Sequence, residues 1–226
     1  MTPRAHRLAG LAALALLAGL LAAPATAQDT PAAKPGEKPA GSVFYFGTAD
    51  PRTTVTFESE TTVETIHGVT HKMNGTATLD FEGGTGSASL GIPVESMKTG
   101  LDKRDEHMRS ETWLDAAKFP DIRLQAKTLK RVKGAEAGKK ETWAYEGSVT
   151  IHGVTKDIKG EATLHRIPDE LGKNLGRGSW VKVKAEFQVA LKDFGIKVPE
   201  QAAAKVNDTW DIKVDIAGTT EAPKKE

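Results

Sequence analysis

Val181-Lys182-Val183-Lys184-Ala185-Glu186-Phe187-Gln188-Val189-Ala190-Leu191 places an apolar side chain at every odd position, with Lys182, Lys184, Glu186 and Gln188 in the gaps. A period of two held this long is a β-strand with one buried and one wet face. The same alternation picks out residues 53–66, 69–81, 86–96, 122–132, 141–151, 154–166 and 209–218. The chain is therefore predicted to be all-β, with eight antiparallel strands. Such a set suits a closed barrel or a sandwich. A barrel also removes the exposed edges that invite aggregation.

One phrase occurs twice. Thr65-Ile66-His67-Gly68-Val69-Thr70 returns as Thr150-Ile151-His152-Gly153-Val154-Thr155. The echo continues from Gly75-Thr76-Ala77-Thr78-Leu79 to Gly160-Glu161-Ala162-Thr163-Leu164. Each copy sits between alternating runs, so each reads as the tip of a hairpin, with Gly68 and Gly153 supplying positive φ. Two equivalent hairpins imply internal pseudo-symmetry.

Eight strands enclose a space just wide enough for side chains or one small ligand. The inner face carries small residues at Ala77, Ala88, Ala126, Ala162 and Ala185. Beside them stand Phe57, Leu79, Leu90, Ile92, Leu124, Tyr145, Val149, Val183 and Phe187. Small inner residues can taper a packed core or leave a tunnel, and the residues alone leave both open.

A short helical insertion is expected over residues 99–110, after the third strand, with Thr99 as cap and Asp102 three residues on. On a helix Leu101, Arg104, Asp105 and Met108 share one face. Arg104 held by Asp105 reads either as a clamp on the barrel or as a group that meets a ligand head. In an up-and-down order the two His-Gly turns, the helix and the 193–207 loop all fall at one mouth. The other mouth receives residues 82–84, 134–140 and 168–178, which read as featureless connectors. If the barrel holds a ligand, Met97, Leu101, Met108 and Trp113 border the opening.

The ends and the composition bound the class. Arg4, His6 and Arg7, an Ala/Leu-rich run and Ala25-Thr26-Ala27 read as a cleaved secretory signal over residues 1–27. Residues 28–42 carry Pro31, Pro35 and Pro39 with little apolar bulk and read as a disordered tether. The folded domain is expected over 43–220 and a disordered tail over 221–226. Of 31 basic and 30 acidic side chains, Arg4 and Arg7 leave with the signal, so the mature chain carries −1. That balance argues against nucleic acid. Cysteine is missing from the composition, which removes thiolate chemistry and disulfides and, with them, a lipoprotein anchor. No membrane span is expected after cleavage.

Three segments carry a family resemblance. Arg104-Asp105-Glu106-His107-Met108-Arg109-Ser110 with Trp113-Leu114-Asp115 and Phe119-Pro120 is the first. The others are Gly147-Ser148-Val149-Thr150-Ile151-His152-Gly153-Val154-Thr155-Lys156 and Phe187-Gln188-Val189-Ala190-Leu191-Lys192-Asp193-Phe194-Gly195-Ile196. In this order they resemble the YceI-like family over residues 43–220. The resemblance implies a lipocalin-like barrel, a long apolar cavity for a polyisoprenoid or fatty-acyl amphiphile, export to the bacterial periplasm, and no catalysis or cofactor. Two positions depart from the family pattern: Phe44-Tyr45-Phe46 stands where a Trp-x-x-Asp opening is usual, and Lys192 replaces an Arg.

Rival readings stay in view. His67, His71, His107 and His152 could meet at one mouth and hold a metal, though no acidic residue is fixed beside them by spacing. Gly-x-Ser-x-Gly, His-Glu-x-x-His and a phosphate loop are all missing from the sequence, which weighs against a hydrolase. A filled barrel serving as an interaction module remains, and a homodimer is left open.

Overall fold

The computed structural model describes residues 41–47, 52–134, 138–176 and 178–223. The predicted signal and nearly all of the predicted tether lie outside the described residues, as do 224–226. Ser42, at the end of the predicted tether, already opens the first strand.

Ten strands occupy eight positions of one closed antiparallel sheet. They are β1 (Ser42–Phe46), β2 (Thr54–Glu60), β3 (Thr65–Thr70), β4 (Asn74–Asp80) and β5 (Thr85–Pro93), then β6 (Asp121–Lys133), β7 (Lys140–Ile151), β8 (Val154–Ile167), β9 (Trp180–Ala190) and β10 (Thr209–Thr219). β1 and β2 share the first position: β2 lies against residues 211–215 of β10, while β1 touches the same edge at Tyr45↔Thr219. β3 and β4 share the second, with Val55↔Thr70 and Phe46↔Gly75 as neighbouring pairs. The rest form a meander from β5 to β10, and the β1–β10 contact closes the ring. The inward residues change parity across each break. They are Phe44 and Phe46, then Val55 and Phe57 in the first position; Ile66 and Thr70, then Met73, Ala77 and Leu79 in the second.

The first His-Gly motif is not a hairpin tip. His67 and Gly68 lie inside β3, opposite Glu58 and Phe57. The chain has already reversed at residues 61–64, where Thr61 Oγ1 accepts from the Val63 and Glu64 amides. The second copy is a tip, with His152 at φ 51° and Gly153 at φ 74°. Those angles suit a two-residue type I′ turn. Six identical letters thus take two conformations, and tertiary packing decides between them. The ring of Phe57 lies across Gly68, where a Cβ would come 1.9 Å from Cζ. Phe119 covers Gly153.

The insertion after β5 contains α1 (Asp102–Arg109). Acids in its first turn and Arg109 in its last complement the helix dipole. Thr99 does not cap it as expected. Leu101 takes the cap position without a side-chain bond. Asp105, almost fully buried, instead accepts the Thr99 amide and hydroxyl at 2.7 Å each. The far mouth is not featureless either. A short helix α2 (Asp169–Leu175) lies there, and Trp180 donates Nε1–H to Gly176 O at 2.6 Å. Trp143, fully buried, donates to Glu141 at 2.8 Å and meets Phe81 edge to face. Together with Phe44 these rings plug that end.

Candidate functional site

Two apolar cavities lie inside the barrel. The upper, of about 80 Å³, is walled by Val55, Phe57, Ile92, Met97, Val149 and Val189 among others. The lower, of about 90 Å³, is walled by Leu79, Ala126, Tyr145, Ala162, Val183 and Ala185 among others. Met73, Leu90, Leu124, Phe187 and Val214 belong to both walls and mark where the two meet. Pairing explains the room in the lower one: Ala77, Ala88 and Ala126 stand side by side on three strands, and Ala162 faces Ala185 on two more. Burial raises the Tyr145 hydroxyl pKa above its usual value, consistent with this apolar setting.

A third, larger space of about 790 Å³ opens at the mouth. Phe57, Ile66, Met108, Trp113, Val206 and Trp210 give it apolar and aromatic walls, and Leu101, Lys103, Arg104, His107 and Lys205 rim it. Every residue singled out from the sequence as ligand-binding lines one of these three spaces. Leu101, Arg104, Met108 and Trp113 line the basin; the others line the interior, Phe57 both. Sequence reasoning missed Met73, Val214 and Trp210. Met73 sits on the β3–β4 break, where the alternation that locates inward residues is interrupted.

The polar pairing at the mouth differs from expectation. Arg104 is not held by Asp105. Its Nη1 donates to Glu64 at 2.6 Å, its Nε to Thr99 Oγ1 at 3.1 Å and its Nη2 to Thr99 O at 3.5 Å. Arg104 thereby ties α1 to the 61–64 turn. Asp105 faces Lys98 at 3.6 Å. Burial acts to raise the Asp105 pKa, but the two Thr99 hydrogen bonds and the charges of Lys98 and Arg109 outweigh it and hold the pKa below the ordinary 3.8.

The histidines do not gather. His67 meets Glu58 at 2.9 Å, His71 donates Nδ1–H to Thr53 O at 2.9 Å, and His107 rims the basin. His152 donates Nδ1–H to Phe194 O at 3.2 Å and packs edge to face on Phe119 at 5.0 Å. These two contacts of His152 join all three segments that carry the family resemblance, since Phe119, His152 and Phe194 come one from each. Among the described residues no group of three His, Asp or Glu side chains is placed to hold a metal ion.

The YceI-like domain matches this chain over residues 48–218. The chain belongs to the YceI-like family. A UPF0312 protein of Pseudomonas fluorescens is 30% identical over 154 residues, which cover 68% of this YceI-like chain and 73% of that protein. Among solved structures, Burkholderia cenocepacia BcnA is similar with a TM-score of 0.60 at 17% identity, over 77% of this chain and 99% of that one. A polyisoprenoid-binding domain from Saccharophagus degradans, implicated in plant cell wall breakdown, aligns with a TM-score of 0.60 at 18% identity, over 80% and 99%. The Campylobacter jejuni YceI protein aligns with a TM-score of 0.54 at 18% identity, over 70% and 85%. At these identities the structures establish the shared barrel.

Proposed function

We propose that this YceI-like protein is a non-catalytic carrier of one long-chain amphiphile, working in the bacterial periplasm. The observation that carries the reading is the pair of apolar cavities inside the barrel, with the wide basin at its mouth. A chain threaded there gains about 0.8 kcal/mol per buried methylene. Each interior cavity is about half the ~150 Å³ that takes up a benzene ring, so a narrow alkyl or prenyl chain suits them better than a ring system. A long chain also requires side chains on the shared wall to turn aside. Met73, unbranched and adaptable, is suited to that. The polyisoprenoid-binding neighbour supports a prenyl cargo. The Arg4–Ala27 leader supports export. Among the described residues no helix is long and apolar enough to cross a membrane.

A second reading is a filled barrel used as an interaction module, and the small size of both interior cavities favours it. Mass spectrometry of an organic extract of the exported protein decides. A stoichiometric long-chain amphiphile supports the carrier. A clean extract, from protein that also takes up no fluorescent C18 fatty acid after delipidation, overturns it.

A further inference from the structure

Between the basin and the upper cavity the walls have one member in common. Among the described residues that line the two spaces, Phe57 alone belongs to both. Its surroundings are unusual. In β2 it pairs with Ile212 of β10 on one side and with Gly68 of β3 on the other. The tip of its ring lies across Gly68, with Cζ, Cε1 and Cε2 between 1.9 and 2.3 Å of where a Cβ would stand. No other residue type could occupy position 68 with the ring in this place. The ring also stacks on Trp210, with centroids 5.1 Å apart and planes 13° from parallel.

The two partners are fixed. Gly68 is ladder backbone, and Trp210 is anchored by its Nε1–H to Asn207 O at 3.0 Å. The phenyl ring is held by packing and has no polar anchor of its own, so rotation about χ1 and χ2 would break no hydrogen bond. Met97 belongs to the upper-cavity wall and Met108 to the basin wall, and both pack in the same cluster as Phe57. Unbranched thioethers yield where a branched side chain would not. A fixed jamb on each side, adaptable packing around it and a space on either face describe a gate.

Resting on the carrier reading, we infer that Phe57 is the gate residue between the mouth basin and the barrel interior, and that the basin is an antechamber where an amphiphile waits before its chain passes the ring. A gate sets the rates of entry and exit more than the affinity, because the loaded state is held by the interior wall. Phe187 provides the contrast, since it lines both interior cavities and not the basin.

The test is stopped-flow uptake and release of cis-parinaric acid, a fluorescent C18 fatty acid, by delipidated full-length protein. Phe57→Ala should speed both uptake and release by about tenfold, so that Kd shifts by less than either rate. Phe57→Leu should fall between, and it covers a folding failure of the alanine variant. Phe187→Ala should weaken Kd mainly through faster release, leaving uptake unchanged. Binding by Phe57→Ala with none by a wild type whose exported form yields a bound amphiphile supports a gate that this probe cannot open. Wild-type rates in Phe57→Ala and Phe57→Leu, or a weakened Kd with unchanged uptake, overturn the gate and leave the carrier reading standing. Failure of the wild type and the Phe57 variants alike to bind overturns the carrier reading and the gate with it.

Discussion

Two glycines in identical hexapeptides do different work. Gly153 supplies a positive φ of 74° at a hairpin tip, whereas Gly68 supplies the space beneath the Phe57 ring. Their substitutions should differ in rescue. Gly153→Val costs about 1–3 kcal/mol through backbone strain, and Phe119→Ala does not restore it because the strained φ remains. Gly68→Val costs about 1–3 kcal/mol through overpacking, and most of that cost disappears when it is made in a Phe57→Ala background. Urea unfolding of both double-mutant cycles checks this; relief in the alanine background at both sites, or at neither, refutes the distinction. Asp105 gives a pH-dependent prediction. Its folded pKa lies below 3.8, so its contribution is full above that pH and fades as pH falls through the folded value. Asp105→Ala should cost about 1.5–3 kcal/mol at pH 7. Its gap from the wild type should narrow below pH 3.8, the ordinary value for this carboxyl, read from melting curves across that range.

The strands were legible because a wet outer face and an apolar inner face force period two. Six of the eight predicted runs match observed elements closely, from β5 through β10, while the second, 69–81, takes in the end of β3 and the 71–73 break together with β4. The first was misread for a physical reason. Within residues 53–66, Val55, Phe57 and Val63 keep one parity and only Ile66 departs from it, yet the reversal at 61–64 depends on Thr61 capping two amides and on Ala204 O, which accepts from the Thr61 hydroxyl. That long-range contact leaves no local mark, and the repeated His-Gly pointed to the wrong tip. β1 was missed because Phe44-Tyr45-Phe46 is too short a run to show alternation. The interior wall was legible wherever the strands were, but Met73 was not, since it stands where parity shifts. At the mouth, residue type identified Arg104 and spacing gave it the wrong partner: Glu64 is forty residues away in sequence. With its guanidinium engaged by Glu64 and Thr99, Arg104→Met should alter affinity for oleate and for neutral oleyl alcohol by the same factor. A selective loss for oleate in competition against parinaric acid would show that Arg104 reads charge.

At the scale of the molecule, the barrel has a closed end and an accessible one. Trp143, Phe81, Phe44 and Trp180 fill the first, while α1 and the 191–208 segment frame the second. A carrier of this form is loaded from one side only. Ala162→Leu or Ala185→Leu, which fill the lower cavity, should therefore shorten the longest chain accepted without affecting a short one. A series of fatty acids of increasing length checks this; an even loss across the series would place the chain elsewhere. The two strand breaks have a consequence for native-state exchange. β1 stops at Phe46 and β3 at Thr70 in adjacent positions, so the wall carries a seam running alongside Met73. Across it the Lys72 amide is bonded by the Thr70 hydroxyl at 3.0 Å in place of a cross-strand carbonyl. Deuterium should enter residues 71–73 well before the unbroken β7–β8 ladder, and a bound chain should slow that entry. The barrel would then widen as a split cylinder does, by parting along one line while the rest of its circumference keeps its hydrogen bonds.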